Sequence, residues 1–259
     1  MRRHSVAMNP SPLPPPRRSR WPARLDVAQS VSGLLLALFM LGHMLFVSSI
    51  LLGADAMWVV TKAFEGYFVF GRPLPGLVSA VVAVVLALVV VHALLAMRKL
   101  PSGWREWHVL RAHRRALPHG GTTLWWLQAL TGIALFFLVT PHLYQMLVHP
   151  GDIGPYASPE RVWSGRWWPL YLALLLAVEL HLWLGLHRLA VKWQWLPAAD
   201  AERGRRRARR IAEVMVVASI ALGLATLAVE MTTGWERRDH LGERYTPAWA
   251  QPAPAPAAR

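Results

Sequence analysis

Five stretches of the chain, at about residues 27–52, 76–97, 122–147, 168–191 and 211–232, run almost without polar interruption. Each reaches the roughly 20 apolar residues needed to cross a hydrocarbon core about 30 Å thick. None has the one-sided polarity of a helix lying on a surface. The pattern therefore predicts an all-α integral membrane protein with five transmembrane helices in a bundle. Between the second and third stretches, "SGWREWHVLRAHRRAL" sets Trp104, Trp107, Val109, Leu110 and Leu117 among basic residues. That mixture predicts a short helix on the membrane surface. The connections 53–75 and 148–167 carry aromatic residues, Gly and Pro, and are expected to be ordered covers over the helix ends.

Composition agrees with the membrane class. Of the 259 residues 54% are hydrophobic and only 16% charged, where a soluble domain is about a quarter charged. The net charge of +14 raises the question of nucleic acid, and the placement of the charge answers it. The segments outside the five stretches carry six, two, six, two, eight and four Lys plus Arg in chain order, so 20 of the 28 fall on one side of a five-span topology. The positive-inside rule then puts the N-terminus in the cytoplasm and the C-terminus in the periplasm. The run "RGRRRARR" at 203–210 reads as an anchor on anionic lipid, and no nucleic-acid partner is expected.

Cysteine is absent, which excludes disulfides, cysteine-held iron–sulfur clusters and thioether-attached haem in this chain. Residues 1–24 are basic and proline-rich without an apolar core and cleavage site, and read as a disordered cytoplasmic arm. Residues 25–235 form the five-helix domain, and 236–259 are expected to be a disordered periplasmic tail.

Of the 11 histidines, four lie inside spans: His43, His92, His142 and His181, each on a different helix. Ionisable residues at such depth mark functional sites. At 1.5 Å per residue and in the inferred orientation, His43 and His142 stand roughly 26 and 30 Å along outward-running helices, both towards the outer end. His92 and His181 stand roughly 26 and 18 Å along inward-running helices, which puts both in the inner half. Two imidazoles at each of two depths suit two b-type haems better than zinc, which prefers four ligands at one point. Gly33, Gly42 and Gly132 leave room for a flat macrocycle or serve ordinary helix packing. Pro141 can kink its helix and aim His142. Candidates for the haem propionates are Gln29, Ser30, Trp125, Trp126 and Lys192 at the cytoplasmic end and Arg161 and Arg166 outside; each can equally be an interfacial anchor.

The stretches "GHMLFVSSILLG", "KAFEG", "VHALLAMRK", "TPHLYQM" and "ELHLWLGLHRL" resemble the dihaem cytochrome b subunit of succinate:quinone oxidoreductases, in the single-chain, five-helix form of menaquinone-using fumarate reductases. The resemblance covers about residues 22–235. It implies two b haems, one held by His92 and His181 near the partner subunits and one by His43 and His142 near the opposite face. It also favours Gln29, Ser30, Trp125 and Lys192 at the cytoplasmic-side propionates and Arg161 at the outer ones. Menaquinol is then the substrate, with Glu65 accepting a proton at the quinol site beside the outer haem. A flavoprotein and an iron–sulfur subunit are implied on the cytoplasmic face, a dimer of such heterotrimers is allowed for, and the location is the bacterial inner membrane.

Glu179 lies two residues from His181 and so points about 200° away around the helix. It is a candidate proton carrier whose movement inward with the electrons cancels the charge they move, a role some members of the family assign to a glutamate here. His187, about 240° from His181, reads as an interfacial histidine. Two alternatives stand beside the resemblance. A hydrogenase or formate dehydrogenase cytochrome b typically places two histidines on one helix. A haem-free proton-coupled transporter would show internal repeats or broken spans; no repeat is visible.

Overall fold

A computed structural model describes residues 19–116, 120–196 and 200–251. Those residues are helices and turns with no strand among them. In chain order the helices are α1 (Trp21–Val47), α2 (Ala54–Phe64), α3 (Tyr67–Phe70), α4 (Gly76–Met97), α5 (Trp104–Ala116), α6 (Gly120–Val148), α7 (Ala157–Trp163), α8 (Trp168–Lys192) and α9 (Ala201–Glu236). A 3₁₀ turn, Ser48–Leu52, extends α1. Among the described residues five helices are long and apolar enough to cross a membrane, in the five places the hydrophobic pattern predicts.

The helix starts follow local chemistry. α1 and α8 both open on Trp-Pro, where the missing proline N–H would have had no partner in the first turn anyway. α9 opens on Asp200, whose side chain accepts from the Glu202 amide at 2.9 Å. α9 begins ten residues before its apolar run, so the arginine run is itself helical and carries the helix out beyond the span. At 36 residues the helix is roughly 54 Å long.

The packing makes a square. α1 packs on α4, α4 on α6, α6 on α8 and α8 on α1. That order sets α1 diagonally opposite α6, and α4 opposite α8. α9 stands outside the square against α8 and the turn after α1. Small residues let it approach, since a Cβ added at Gly223 would stand 2.3 Å from Leu175 Cδ1. Apolar side chains such as Val84, Phe137 and Val217 are exposed along the spans, as helices facing lipid require.

One end of the bundle carries the basic segments and α5, with Trp107 against Trp126 at 5.5 Å. The other end, the cap end, is closed by α2, α3 and α7. Gly66 and Gly71, both in left-handed conformation, turn the chain on either side of α3. The arm is shorter than the sequence suggested, because residues 21–24 already belong to α1. Its first 18 residues, and the tail beyond 251, lie outside the described residues. Residues 237–251 depart from the expectation of a disordered tail and form a strap across the cap. Arg244 pairs with Asp152 at 3.0 Å, Pro247 is fully buried, and Trp249 meets Trp58 at 5.2 Å. Tyr245 donates to Asp55, and that hydrogen bond pushes its phenol up to about 12. The strap is ordered because its aromatic residues find an aromatic cap to lie on, a match no local pattern reveals.

Gly234 of α9 abuts α7, where an added Cβ would stand 2.3 Å from the Pro159 carbonyl oxygen. Backbone cannot move aside easily, and overpacking of this kind costs about 1–3 kcal/mol or more. Gly234→Ala should therefore lower the thermal unfolding temperature of the purified protein. Gly76→Ala, where nothing lies within 4 Å, should leave it unchanged.

Candidate functional site

The four intramembrane histidines meet as two pairs across the diagonals of the square. His43 of α1 faces His142 of α6 with ring centres 6.2 Å apart and planes at 60°. His92 of α4 faces His181 of α8 with ring centres 6.4 Å apart and planes at 90°. The levels are separated consistently on three helices. His43 is ten residues from Gly33, which touches His92; His142 is ten from Gly132, which touches His181; and Tyr171, which touches His142, is ten from His181. Ten helical residues are about 15 Å. The His43–His142 pair lies towards the cap and the His92–His181 pair towards the basic end.

These pairs fit haem iron. A metal–imidazole bond of about 2.0–2.1 Å on either side of a metal puts the two ring centres roughly 6 Å apart. Among the described residues no group of three or more His, Asp or Glu converges as a metal site, so a four-ligand zinc centre finds no support. At the basic-end level glycines leave room for the two rings. A plate between α4 and α8 must turn its edges towards α1 and α6, and there stand Gly33 and Gly132. A Cβ at Gly33 would lie 2.8 Å from His92 Cε1, and one at Gly132 3.0 Å from His181 Cε1. Gly42 faces only Phe46, at 3.5 Å; it does not line a pair. The cap-end level has valines in place of glycines, with Val82 and Val85 packed against Leu143 and Met146.

Polar neighbours orient the rings. Ser32 lies 3.2 Å from His92 Nδ1, and Thr131 lies 3.2 Å from His181 Nδ1. A hydrogen bond at Nδ1 fixes the ring and, at His92, leaves Nε2 for a metal. Gln128 reaches across His181, 3.2 Å from Nε2 and 3.4 Å from Nδ1, and donates to the His181 carbonyl at 3.2 Å. At the cap level His43 stacks on Phe39 at 5.7 Å, and His142 meets Tyr171 edge-on at 5.6 Å. The sequence reading passed over Ser32, Gln128 and Thr131. Their signal was available: Gln128 and Thr131 are polar residues three apart, hence on one face of an otherwise apolar helix.

Three of the residues proposed for the basic end sit together. Lys192 donates to Ser30 at 2.9 Å and pairs with Asp26 at 2.5 Å, while Asp26 also binds Lys99. Asp26 thereby ties α1 to the ends of α4 and α8. Gln29 neighbours the same turn, and its Oε1 is buried without a hydrogen-bond partner among the described residues. Trp125 stacks edge-on with Trp126 at 5.7 Å on α6, apart from that cluster. At the cap end Arg161 donates to the Tyr171 hydroxyl at 2.9 Å and to the Asp152 carbonyl, which puts it one ring away from His142. Arg166 is exposed in the following turn and joins no pair.

Glu65 caps the end of α2, within the cover expected over the helix ends, and is 1% exposed. Its carboxylate pairs with Lys62 at 2.6 Å. Phe64, its neighbour, meets Phe46 at 4.7 Å, which holds the end of α2 one turn beyond His43. Glu179 is wholly buried. Its Oε2 accepts from the Trp183 indole at 3.2 Å, and its Oε1 has no partner among the described residues. It points at α9, away from the imidazole of His181, as the helical register requires. His187 turns towards Ala208 of α9 and joins neither pair.

The chain is similar to known membrane subunits along most of its length. A family model described as the succinate dehydrogenase/fumarate reductase transmembrane subunit matches residues 104–223. The fumarate reductase cytochrome b subunit of Wolinella succinogenes is 47% identical over 226 residues, which are 87% of this chain and 88% of that protein. Its counterparts in two Helicobacter pylori strains are 44% and 43% identical over 218 residues, 84% of this chain and of each relative.

Gln128 provides a test of the ring-orienting shell. Gln128→Leu should weaken haem retention at the basic-end pair by about 10–100-fold, the usual loss for such a neighbour. Haem titration of the purified chain should show that loss, with binding at the His43–His142 pair unaffected.

Proposed function

This chain belongs to the succinate dehydrogenase/fumarate reductase transmembrane subunit family, and from that membership we propose that it is the dihaem cytochrome b membrane subunit of a menaquinol:fumarate reductase. The reading rests on one observation above all: two diagonal imidazole pairs at two levels of one bundle, each at the separation a bis-imidazole iron needs. The haem supplies, when bound, a one-electron carrier at each level. His43 and His142 hold the cap-end iron, and His92 and His181 the basic-end iron. Gln29, Ser30, Trp125 and Lys192 meet propionates at the basic end, and Arg161 does so at the cap.

The five-span chain is a multi-pass protein of the bacterial inner membrane, and its basic end is cytoplasmic by charge. A flavoprotein and an iron–sulfur subunit dock there, because this chain has neither a flavin motif nor cysteine for clusters. The cap faces the periplasm. Menaquinol binds beneath it, and Glu65 takes a proton from a quinol hydroxyl as two electrons and two protons leave the ring. Lys62 holds the carboxylate in place through a 2.6 Å ion pair.

Electrons leaving the cap end for the cytoplasmic face move charge through the membrane potential, at about 2.3 kcal/mol per charge per 100 mV. A proton travelling the same way cancels it. Glu179 carries that proton, since it is buried in the bundle, lies off the haem face and keeps one oxygen unpartnered.

Purified with its soluble partners, the subunit should bind two b haems and support menaquinol:fumarate turnover. His43→Ala or His142→Ala should remove one haem signal, and His92→Ala or His181→Ala the other. Loss of both signals from folded protein in any one variant would break the pairing. Glu65→Gln should stop quinol turnover while both absorption bands remain, and normal turnover would remove Glu65 from the site.

A further inference from the structure

α9 brings no histidine to the bundle, yet it buries a carboxylate. Its inward stripe runs Ser219, Gly223, Thr226, Glu230 and Gly234, at spacings of three and four that keep one face. α8 answers with Tyr171, Leu175, Glu179 and Trp183 at a spacing of four. The two stripes lie antiparallel as one seam: Trp183 donates to Ser219 at 3.1 Å, and Leu175 packs over Gly223. Tyr171 is close enough to Glu230 to feel its charge. Glu230 is therefore the seam's polar group nearest the cap. Glu179 shares the seam, eight residues past Tyr171 along α8, or about 12 Å nearer the basic end.

Glu230 is 6% exposed. Among the described residues it forms no ion pair or hydrogen bond that would explain a carboxylate there. Arg161 is the cation whose charge reaches it. That guanidinium is committed elsewhere, to Tyr171, to the Asp152 carbonyl and to Ser158. Thr226, one turn nearer the basic end, bonds Ser48 at 3.0 Å and so links the seam to the turn between α1 and α2. An unpaired buried carboxylate is a standing expense to the fold. It is retained where it does something, and a carboxyl in a span that can take and give up a proton does.

We propose that Glu230 is the proton-exchanging group at the cap end of the α8/α9 seam, taking protons from the periplasmic side and passing them towards the basic end. The step balances without a co-reactant. An arriving proton bonds to one carboxylate oxygen, that O–H bond breaks when the proton leaves, and the carboxylate is restored. Thr226, four residues away, is the nearest hydroxyl on the same stripe and can relay the proton only as its own passes on to Ser48, to which it donates at 3.0 Å. The inference rests on the reading that protons accompany electrons through this subunit.

The test uses the complete complex, with its soluble subunits, in sealed proteoliposomes. Menaquinol:fumarate turnover is followed alongside a voltage-sensitive dye. The parent complex should turn over without building a potential. Glu230→Gln should build one, slow several-fold and recover its rate when a protonophore is added; Glu230→Asp, which keeps a carboxyl, should stay close to the parent. Should the Gln variant fail to assemble, as judged by its b-type bands, Glu230→Met serves instead, because no hydrogen bond is lost there. Electroneutral turnover at the parent rate in either variant would overturn the proposal and leave the proton-coupled reading intact. A shifted cap-end haem band with electroneutral turnover would also overturn it, by assigning Glu230 to holding Arg161. A parent complex that itself builds a potential would sink both readings.

Discussion

The structure depends on imidazoles that face each other across a square of helices. A bilayer core offers no water to satisfy a ring nitrogen, so an intramembrane histidine must find its partner inside the protein. Setting the partners on diagonal helices has a consequence for all four members of the square. Each pair occupies one diagonal, and the other two helices become the walls of whatever lies between the rings. At the basic-end level those walls carry Gly33 and Gly132. One turn-scale choice of residue on α1 and α6 thus serves a pair of rings carried by α4 and α8.

α8 works on two sides. One face sends His181 into the square, and the opposite face lays Glu179 and Trp183 against α9. The square and the seam have one helix in common, and Tyr171 of that helix also meets His142 at the cap level. In the proposed function this divides the labour, with the histidine-lined interior given to electrons and the carboxylate-bearing seam to protons. Such a division suits a membrane interior, because a mobile proton beside a haem ligand would compete for the same nitrogen.

The cap is the part of the molecule built by tertiary contact alone. α2 and α7 are short, and neither could hold its shape without the helices beneath and the strap above. Their aromatic contacts, Trp58 with Trp249 and Trp163 with Trp235, join segments far apart in the chain. This is where Glu65 is buried and paired with Lys62. The pairing is three residues apart and readable on a helix, but only once the segment is known to be helical.

What was legible in the sequence follows from short-range rules. Span length, charge asymmetry and the depth of each histidine need only the helix rise and the thickness of a bilayer, so the five helices and the two levels could be read from the chain. So could the divergence of Glu179 from His181, which is a matter of angle along one helix. The square order, the diagonal pairing, the strap over the cap and the burial of Glu230 could not. Each depends on which helix stands next to which, and hydrophobic sequence is nearly silent on that question. In lipid an apolar face gains little by choosing one neighbour over another, so the choice falls to glycines, hydroxyls and a few buried charges whose partners lie tens of residues away.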